Sequence, residues 1–330
     1  MLDTMRTRAL AVLLALTVVG FATIAVGATG AAGAATGAKP ASAGCGQAAT
    51  PGVTTHHVTV GGTDREYQLS IPADYDSKHP APLLFDFHGL GSNMQEQALY
   101  TGLDARGGAR GYVVITPNGQ GTQLRRWSLQ STAAANPDVA FVQAMVRATT
   151  RSLCIDPARV YSTGISNGAM FSTVLACALP GRFAAIAPVA GVNATNVCSS
   201  GTPRVSVLAF HGTADPIVPY QGGDYFSGAA PARTPGRAQA KPVDDAIAAW
   251  AAFDGCATPA TTTYVADDVQ RLVWPKCPKN GAVQLYRVIA GGHTWPGAVA
   301  VRAQRLGTTT ASIDATALIL DFFDAHPRQT

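Results

Sequence analysis

Charge is scarce in this chain. Only 13% of its 330 residues are Asp, Glu, Lys or Arg, and the formal net charge of +4 is dispersed. A nucleic-acid interface needs a basic stripe or an aromatic platform, and neither is present, so nucleic acid is not an expected partner. No Cys-x-x-Cys pair occurs and the histidines stand apart from the cysteines. The usual spacing of a metal site is therefore missing, and no metal is expected. No repeat is evident, nothing reads as a long apolar lid, and no separate polymer-binding module is expected after the main domain.

The N-terminus is apolar instead. Arg6 and Arg8 precede the run Ala9–Val26, and small residues follow as far as Ala41-Ser-Ala43. This is the n-region, h-region and A-x-A order of a signal peptide, so residues 1–43 are read as signal and small-residue linker, and the mature protein as secreted. The apolar run is just long enough to span a bilayer, which makes an uncleaved anchor the alternative. Lipidation of Cys45 is not expected, because Ser42 stands where a lipoprotein signal carries a branched aliphatic residue.

An even cysteine count in an exported chain implies disulfides, and the six here, Cys45, Cys154, Cys177, Cys198, Cys256 and Cys277, make three. Six cysteines allow about 15 connectivities. Cys256 and Cys277 flank a candidate hairpin, Thr261–Trp274, and form the most plausible pair; Cys177 with Cys198 and Cys45 with Cys154 complete the scheme.

Residues 44–330 read as one α/β domain. Val53–Val60 and Glu66–Ile71 are expected as antiparallel strands. From Leu83 onward strand and helix signals alternate: strands at Tyr112–Thr116, Val160–Thr163, Ala184–Val189, Val205–Phe210 and Val283–Ile289, helices at Asp138–Ser152, Ala169–Leu179, Val243–Phe253 and Ile313–Ala325. Alternation of this kind implies right-handed βαβ units and a mostly parallel sheet. Gln221–Lys241, dense in Gly, Ala, Pro and Arg, is expected as a mobile loop.

Within that frame Val160–Gly168 is the most informative stretch, a short strand running into Gly164-Ile-Ser166-Asn-Gly168 with a helix behind it. A serine on such a strand-to-helix turn is exposed in strained backbone, and the flanking glycines remove Cβ atoms that would clash. Ser166 is the candidate nucleophile. A serine hydroxyl needs a base oriented by a carboxylate, and in α/β-hydrolases these follow in the order Ser, Asp/Glu, His. Only His211, His293 and His326 come after Ser166. His211 stands at a strand end where the acid is expected and His326 ends a helix, which leaves His293, in a Gly/Pro-punctuated loop, as the base. Asp215, just past Val205–Phe210, is the acid at the carboxyl edge of the sheet. Its rivals Asp244, Asp245 and Asp254 lie on a helix, where carboxylates at helical spacing are usually a solvated face. The oxyanion donors are expected from the backbone of Asn167 and of Leu90, in the loop His88-Gly-Leu-Gly-Ser-Asn93, with His88 itself structural. Trp295 and Trp127 are candidate platforms for an aromatic or sugar ring, the alternative being loop packing.

Several ordered motifs carry a resemblance: Arg65–Pro72, Phe87-His-Gly-Leu-Gly91, Cys154-Ile-Asp-Pro-Ala-Arg-Val160, Gly164–Gly168, Pro188-Val-Ala-Gly191, His211–Tyr220 and Gly291-Gly-His-Thr-Trp-Pro-Gly297. From about Cys45 to the C-terminus the chain resembles secreted esterases of the polyhydroxybutyrate-depolymerase and feruloyl-esterase group, carbohydrate esterase family 1. The resemblance implies an α/β-hydrolase fold without a cofactor. It also implies Ser166 as nucleophile, Asp215 as acid, His293 as base, and disulfides like those of secreted feruloyl esterases. The expected substrate is a polymer-linked ester, in the sense of hydroxycinnamoyl or acetyl groups on plant polysaccharide. His293-Thr-Trp-Pro-Gly297 is closer to bacterial members named depolymerases, so hydroxyalkanoate polyester is the alternative. A non-catalytic secreted binding protein on the same scaffold is the rival of another class.

Overall fold

A computed structural model describes residues 42–226, 239–298 and 304–328. Nearly all of the expected signal segment 1–43 lies outside these residues, as does the centre of the loop Gln221–Lys241. Among the described residues no helix is long and apolar enough to cross a membrane.

The chain begins with an antiparallel pair, β1 (Gly52–Val60) and β2 (Thr63–Ile71), and continues through β3 (Ala81–Phe87), α1 (Met94–Thr101), α2 (Leu103–Gly108) and β4 (Val113–Pro117). Next come α3 (Pro137–Ser152), β5 (Ile155–Ile165), α4 (Asn167–Ala178), β6 (Ala185–Val189) and β7 (Ser206–Gly212). A two-residue ladder, β8 (Gly223–Asp224) with β9 (Gln239–Ala240), precedes α5 (Val243–Asp254). The chain closes with the hairpin β10 (Thr261–Ala266) and β11 (Val269–Trp274), then β12 (Val283–Val288) and α6 (Ala315–Ala325).

Ten strands form one sheet in the order β1-β2-β4-β3-β5-β6-β7-β12-β11-β10. Neighbours from β4 to β12 in that order pair in parallel, and the pairs at both flanks are antiparallel. This is an α/β-hydrolase fold. The parallel strands are buried on both faces, which is why they read as apolar runs rather than as alternations. Leu83, Phe85 and Phe87 of β3 join one core layer and Leu84 the other. The helix ends follow from local chemistry. Asn136 caps α3 by accepting from the N–H groups of Asp138 and Val139, with Pro137 in the first turn, and Asp314 caps α6 through Ala317 N–H.

Two short helices, α1 and α2, were not signalled by the sequence. Each is short, without a long apolar stripe, and Gly102, in left-handed backbone at φ 64°, separates them. The three disulfides are Cys45–Cys154, Cys177–Cys198 and Cys256–Cys277, the scheme set out above.

Asp254, expected on a solvated face, is instead buried at the end of α5. Its Oδ1 accepts from Val205 N–H at 3.2 Å, while Oδ2 is buried without a partner. Desolvation pushes the carboxyl up to about 7, against the downward pull of the Val205 N–H and Arg204. A carboxyl raised in the folded state binds its proton more tightly there than in the unfolded chain, so it costs stability as pH rises from about 4 to about 7. Asp254→Asn should therefore gain thermal midpoint relative to wild type as pH is raised from 5 to 8; a constant difference across that range would show that the burial penalty is absent.

Candidate active site

Ser166 stands between β5 and α4 at φ 56° and ψ −122°, a conformation L-residues rarely adopt. Two close approaches hold it there. A Cβ added at either Gly164 or Gly168 would collide with the carbonyl oxygen of Phe87, so both glycines are needed for β3 to lie flush against the turn. Ser166 N–H donates to Val189 O at 2.9 Å, and Ser166 O accepts from Met170 N–H at 2.9 Å. The turn is therefore tied to β6 on one side and to its own helix on the other.

Asp215 and His293 come from the loops after β7 and β12. A Cβ at Gly212 would clash with Gly291 O, and Ala214 N–H donates to that same oxygen at 2.9 Å, so the two loops touch backbone to backbone. His293 Nδ1 donates to Asp215 Oδ2 at 2.8 Å, which leaves Nε2 for other work. Asp215 Oδ1 accepts from the N–H groups of Ile217 and Val218 at 2.8 and 2.9 Å. The side chain is fully buried. Burial alone would raise its pKa, but this is outweighed by His293 and His211 and holds the carboxyl well below its usual range.

His211 is a contributor that the sequence reading passed over. Its Nε2 donates to Val218 O at 2.9 Å and lies 3.4 Å from Asp215 Oδ2. The signal was its place at the strand end, one residue before Gly212.

Ser166 and His293 line one cavity of about 740 Å³ together with Leu90 and its glycine neighbours. A Cβ at Gly89 would sit 3.5 Å from Ser166 Cβ, so the peptide leading to Leu90 runs beside the serine. His88 lies beneath this loop. Its Nε2 accepts from Gly119 N–H at 2.9 Å, so Nδ1 carries the hydrogen and donates to Gly89 O at 2.7 Å. Asn167 begins α4, and its side chain is fastened to Trp127: Oδ1 accepts from Trp127 N–H at 2.7 Å and Nδ2 donates to Trp127 O at 3.2 Å. Asp138, itself paired with Arg65 at 2.8 Å, accepts from Ser128 N–H and from Gln120 Nε2 and so steadies the segment that carries Trp127. Among the described residues no group of three His, Cys, Asp or Glu is arranged to hold a metal ion.

The two tryptophans require correction. Trp127 is 2% exposed, stacks on Phe171, meets Phe87 edge-on and donates its Nε1–H to His88 O at 2.9 Å. Trp295 is 1% exposed and packs in the core layer of α6; its Nε1–H donates to Thr316 Oγ1 at 3.0 Å and its backbone N–H to Tyr100 Oη at 2.8 Å. Neither has a free face for a substrate ring. Both brace loops of the site, because an indole packed on all sides with its N–H satisfied is worth more to the fold than to a ligand.

Residues 66–221 match the family model described as "Esterase PHB depolymerase", a span that includes Leu90, Ser166, Asn167 and Asp215 and ends before His293. Over these residues the chain is similar to esterases of the PHB-depolymerase type. "Probable feruloyl esterase C" of Aspergillus niger is 33% identical over 190 residues, and "Feruloyl esterase C" of Emericella nidulans 34% over 190, each match covering 55% of this chain and 65% of the relative. The chain thus spans just under two thirds of the length of these relatives. NocK of Nocardia uniformis subsp. tsuyamanensis is 29% identical over 287 residues, 82% of each chain. Among solved structures, "Acetyl xylan esterase from Aspergillus awamori" shares the fold with a TM-score of 0.59 at 16% identity, covering 82% of this chain and 99% of that one.

If Trp295 works only as a brace, Trp295→Phe should lower stability by about 1 kcal/mol through the lost indole bond. It should also slow aryl and acetyl esters by equal factors. Comparing kcat/KM on methyl ferulate and p-nitrophenyl acetate checks this, and a loss confined to the aryl ester would restore a stacking role.

Proposed function

We propose that this protein is a secreted serine esterase whose single catalytic domain, residues 44–330, is released from a signal segment at residues 1–43. The observation that carries the reading is the meeting of a buried, hydrogen-bonded Asp215–His293 pair with a strained-turn serine at one cavity. Strain kept in backbone at such a turn is the mark of a positioned functional group.

In the proposed reaction His293 Nε2 takes the proton from Ser166 Oγ, and the oxygen attacks the ester carbonyl. The oxyanion is held by the N–H groups of Leu90 and Asn167, each worth roughly 3–4 kcal/mol in the transition state. His293 then returns the proton to the leaving alcohol and activates water against the acyl-enzyme. Asp215, kept ionised by its surroundings, stabilises the imidazolium formed on the way.

The preferred substrates are feruloyl or acetyl esters of plant polysaccharide, in keeping with the names of the relatives and of the structural neighbour. Hydroxyalkanoate polyester is the second reading, favoured by the description of the matched family. Rates on methyl ferulate, acetylated xylan and amorphous polyhydroxybutyrate, measured side by side, separate the two. Hydrolysis of none of these, nor of p-nitrophenyl acetate, would leave a binding protein on a hydrolase scaffold.

Ser166→Ala should reduce turnover of p-nitrophenyl acetate at least about a thousandfold with an unchanged thermal midpoint. Asp215→Asn should cost less than His293→Ala, and Asp245→Asn should cost little. A Ser166→Ala variant that keeps more than a hundredth of the rate would point to another nucleophile.

A further inference from the structure

The cavity beside Ser166 and His293 has largely apolar walls, formed by residues such as Leu90, Ile165, Ile217 and Leu306. Two side chains of charged type line it, Glu96 and Arg305. Glu96 is engaged, accepting from Ser92 Oγ at 2.7 Å at the start of α1. Arg305 is exposed, and no hydrogen bond or ion pair joins its guanidinium to another described residue.

The backbone that carries Arg305 is fastened to the candidate base. Arg305 lies in the short turn Gln304–Leu306. The carbonyl of Leu306, the next residue, accepts from His293 N–H at 2.6 Å, and Gly292 N–H donates to Thr308 O at 2.8 Å. A Cβ at Gly292 would collide with Leu306 O, so the two segments lie flush. The guanidinium therefore stands on a strap whose position relative to His293 is set by backbone hydrogen bonds rather than by a free loop.

We infer that Arg305 selects ester substrates that carry a free carboxylate, which it binds while the ester lies at Ser166. The inference rests on the serine-esterase reading and deepens it. A guanidinium is weakly hydrated and presents a planar fork that fits a carboxylate with two hydrogen bonds. Apolar walls beside it strengthen that attraction over its value in bulk water. A neutral acetyl or feruloyl ester on uncharged xylan offers this cation no anion to pair with. Two substrate chemistries do: the acid end of a short hydroxyalkanoate oligomer, and a uronic acid next to an esterified sugar.

The test uses two matched substrate pairs. One is the dimer of 3-hydroxybutyrate against the same dimer with its carboxylate converted to the primary amide; the other is acetylated xylo-oligosaccharides with and without a glucuronic acid branch. Wild type should prefer the acid member of one pair, and that pair names the source of the carboxylate. The acid-to-neutral ratio of kcat/KM should fall roughly tenfold in Arg305→Gln, the scale of one hydrogen bond to a charged group, and less in Arg305→Lys. It should also shrink as salt is added. Arg151→Gln, an exposed cation in the last turn of α3, should leave the ratio as it was. Absence of an acid preference in both pairs, or a preference that survives Arg305→Gln, overturns the assignment. Absence of hydrolysis of every ester, p-nitrophenyl acetate included, instead removes the esterase reading and this inference with it.

Discussion

The contact on which the rest of the site depends is the one between the end of β3 and the turn at Ser166. The Phe87 carbonyl oxygen meets Gly164 and Gly168 at once, with no room for a methyl group at either. That single approach does three things. It allows β5 to pair with β3 through Phe87 and Gly164 right up to the turn, it holds Ser166 at positive φ, and it sends His88-Gly89-Leu90 past the serine on leaving the strand. Candidate nucleophile and candidate oxyanion loop are thus two outcomes of one packing constraint. The side chains beneath repeat the coupling, since Trp127 is bonded both to His88 O and to the side chain of Asn167. A shift of the loop cannot leave the turn undisturbed.

On the other side of the site the organising force is electrostatic. A carboxylate with no exposure to water is costly unless every lone pair is answered. Asp215 meets that demand with two backbone N–H groups on one oxygen and His293 on the other, with His211 alongside. The carboxylate is stable only where the loops after β7 and β12 are in contact, so its ionisation and the aim of His293 are settled together. This differs from Asp254, where one oxygen finds no partner and the carboxyl is pushed up to about 7. Similar burial has opposite effects because the donors differ.

Much of this was legible in the sequence. The parallel strands show as apolar runs, the elbow as Gly-x-Ser-x-Gly between a strand and a helix, and the Cys256–Cys277 bridge in the hairpin its cysteines flank, because each is written in local pattern. What was not legible depends on distant partners. Whether Trp295 faces a substrate or the core is decided by Tyr100 and Thr316, which lie 195 and 21 residues away in the chain. Asp254 looks like a helix-face carboxylate until β7 packs over it. Helices α1 and α2 carry little apolar periodicity of their own and are held by tertiary contact, as short helices generally are.

Helix α1 shows what such a poorly signalled element contributes. Asp86, on β3 just ahead of the candidate oxyanion loop, is buried and accepts from Gln97 Nε2 at 2.7 Å and Thr101 Oγ1 at 2.6 Å. The Thr101 carbonyl accepts from Thr316 Oγ1 at 2.6 Å, and Thr316 accepts from the indole of Trp295, two residues after His293. Tyr100, beside Thr101, holds the Trp295 backbone. A continuous polar chain therefore runs from the strand that delivers Leu90 to the loop that delivers His293, by way of α1 and the start of α6. Buried polar chains of this kind are costly when half satisfied and rigid when complete. Here the chain joins the two loops that must keep their spacing if one carbonyl is to meet both an oxyanion donor and a base.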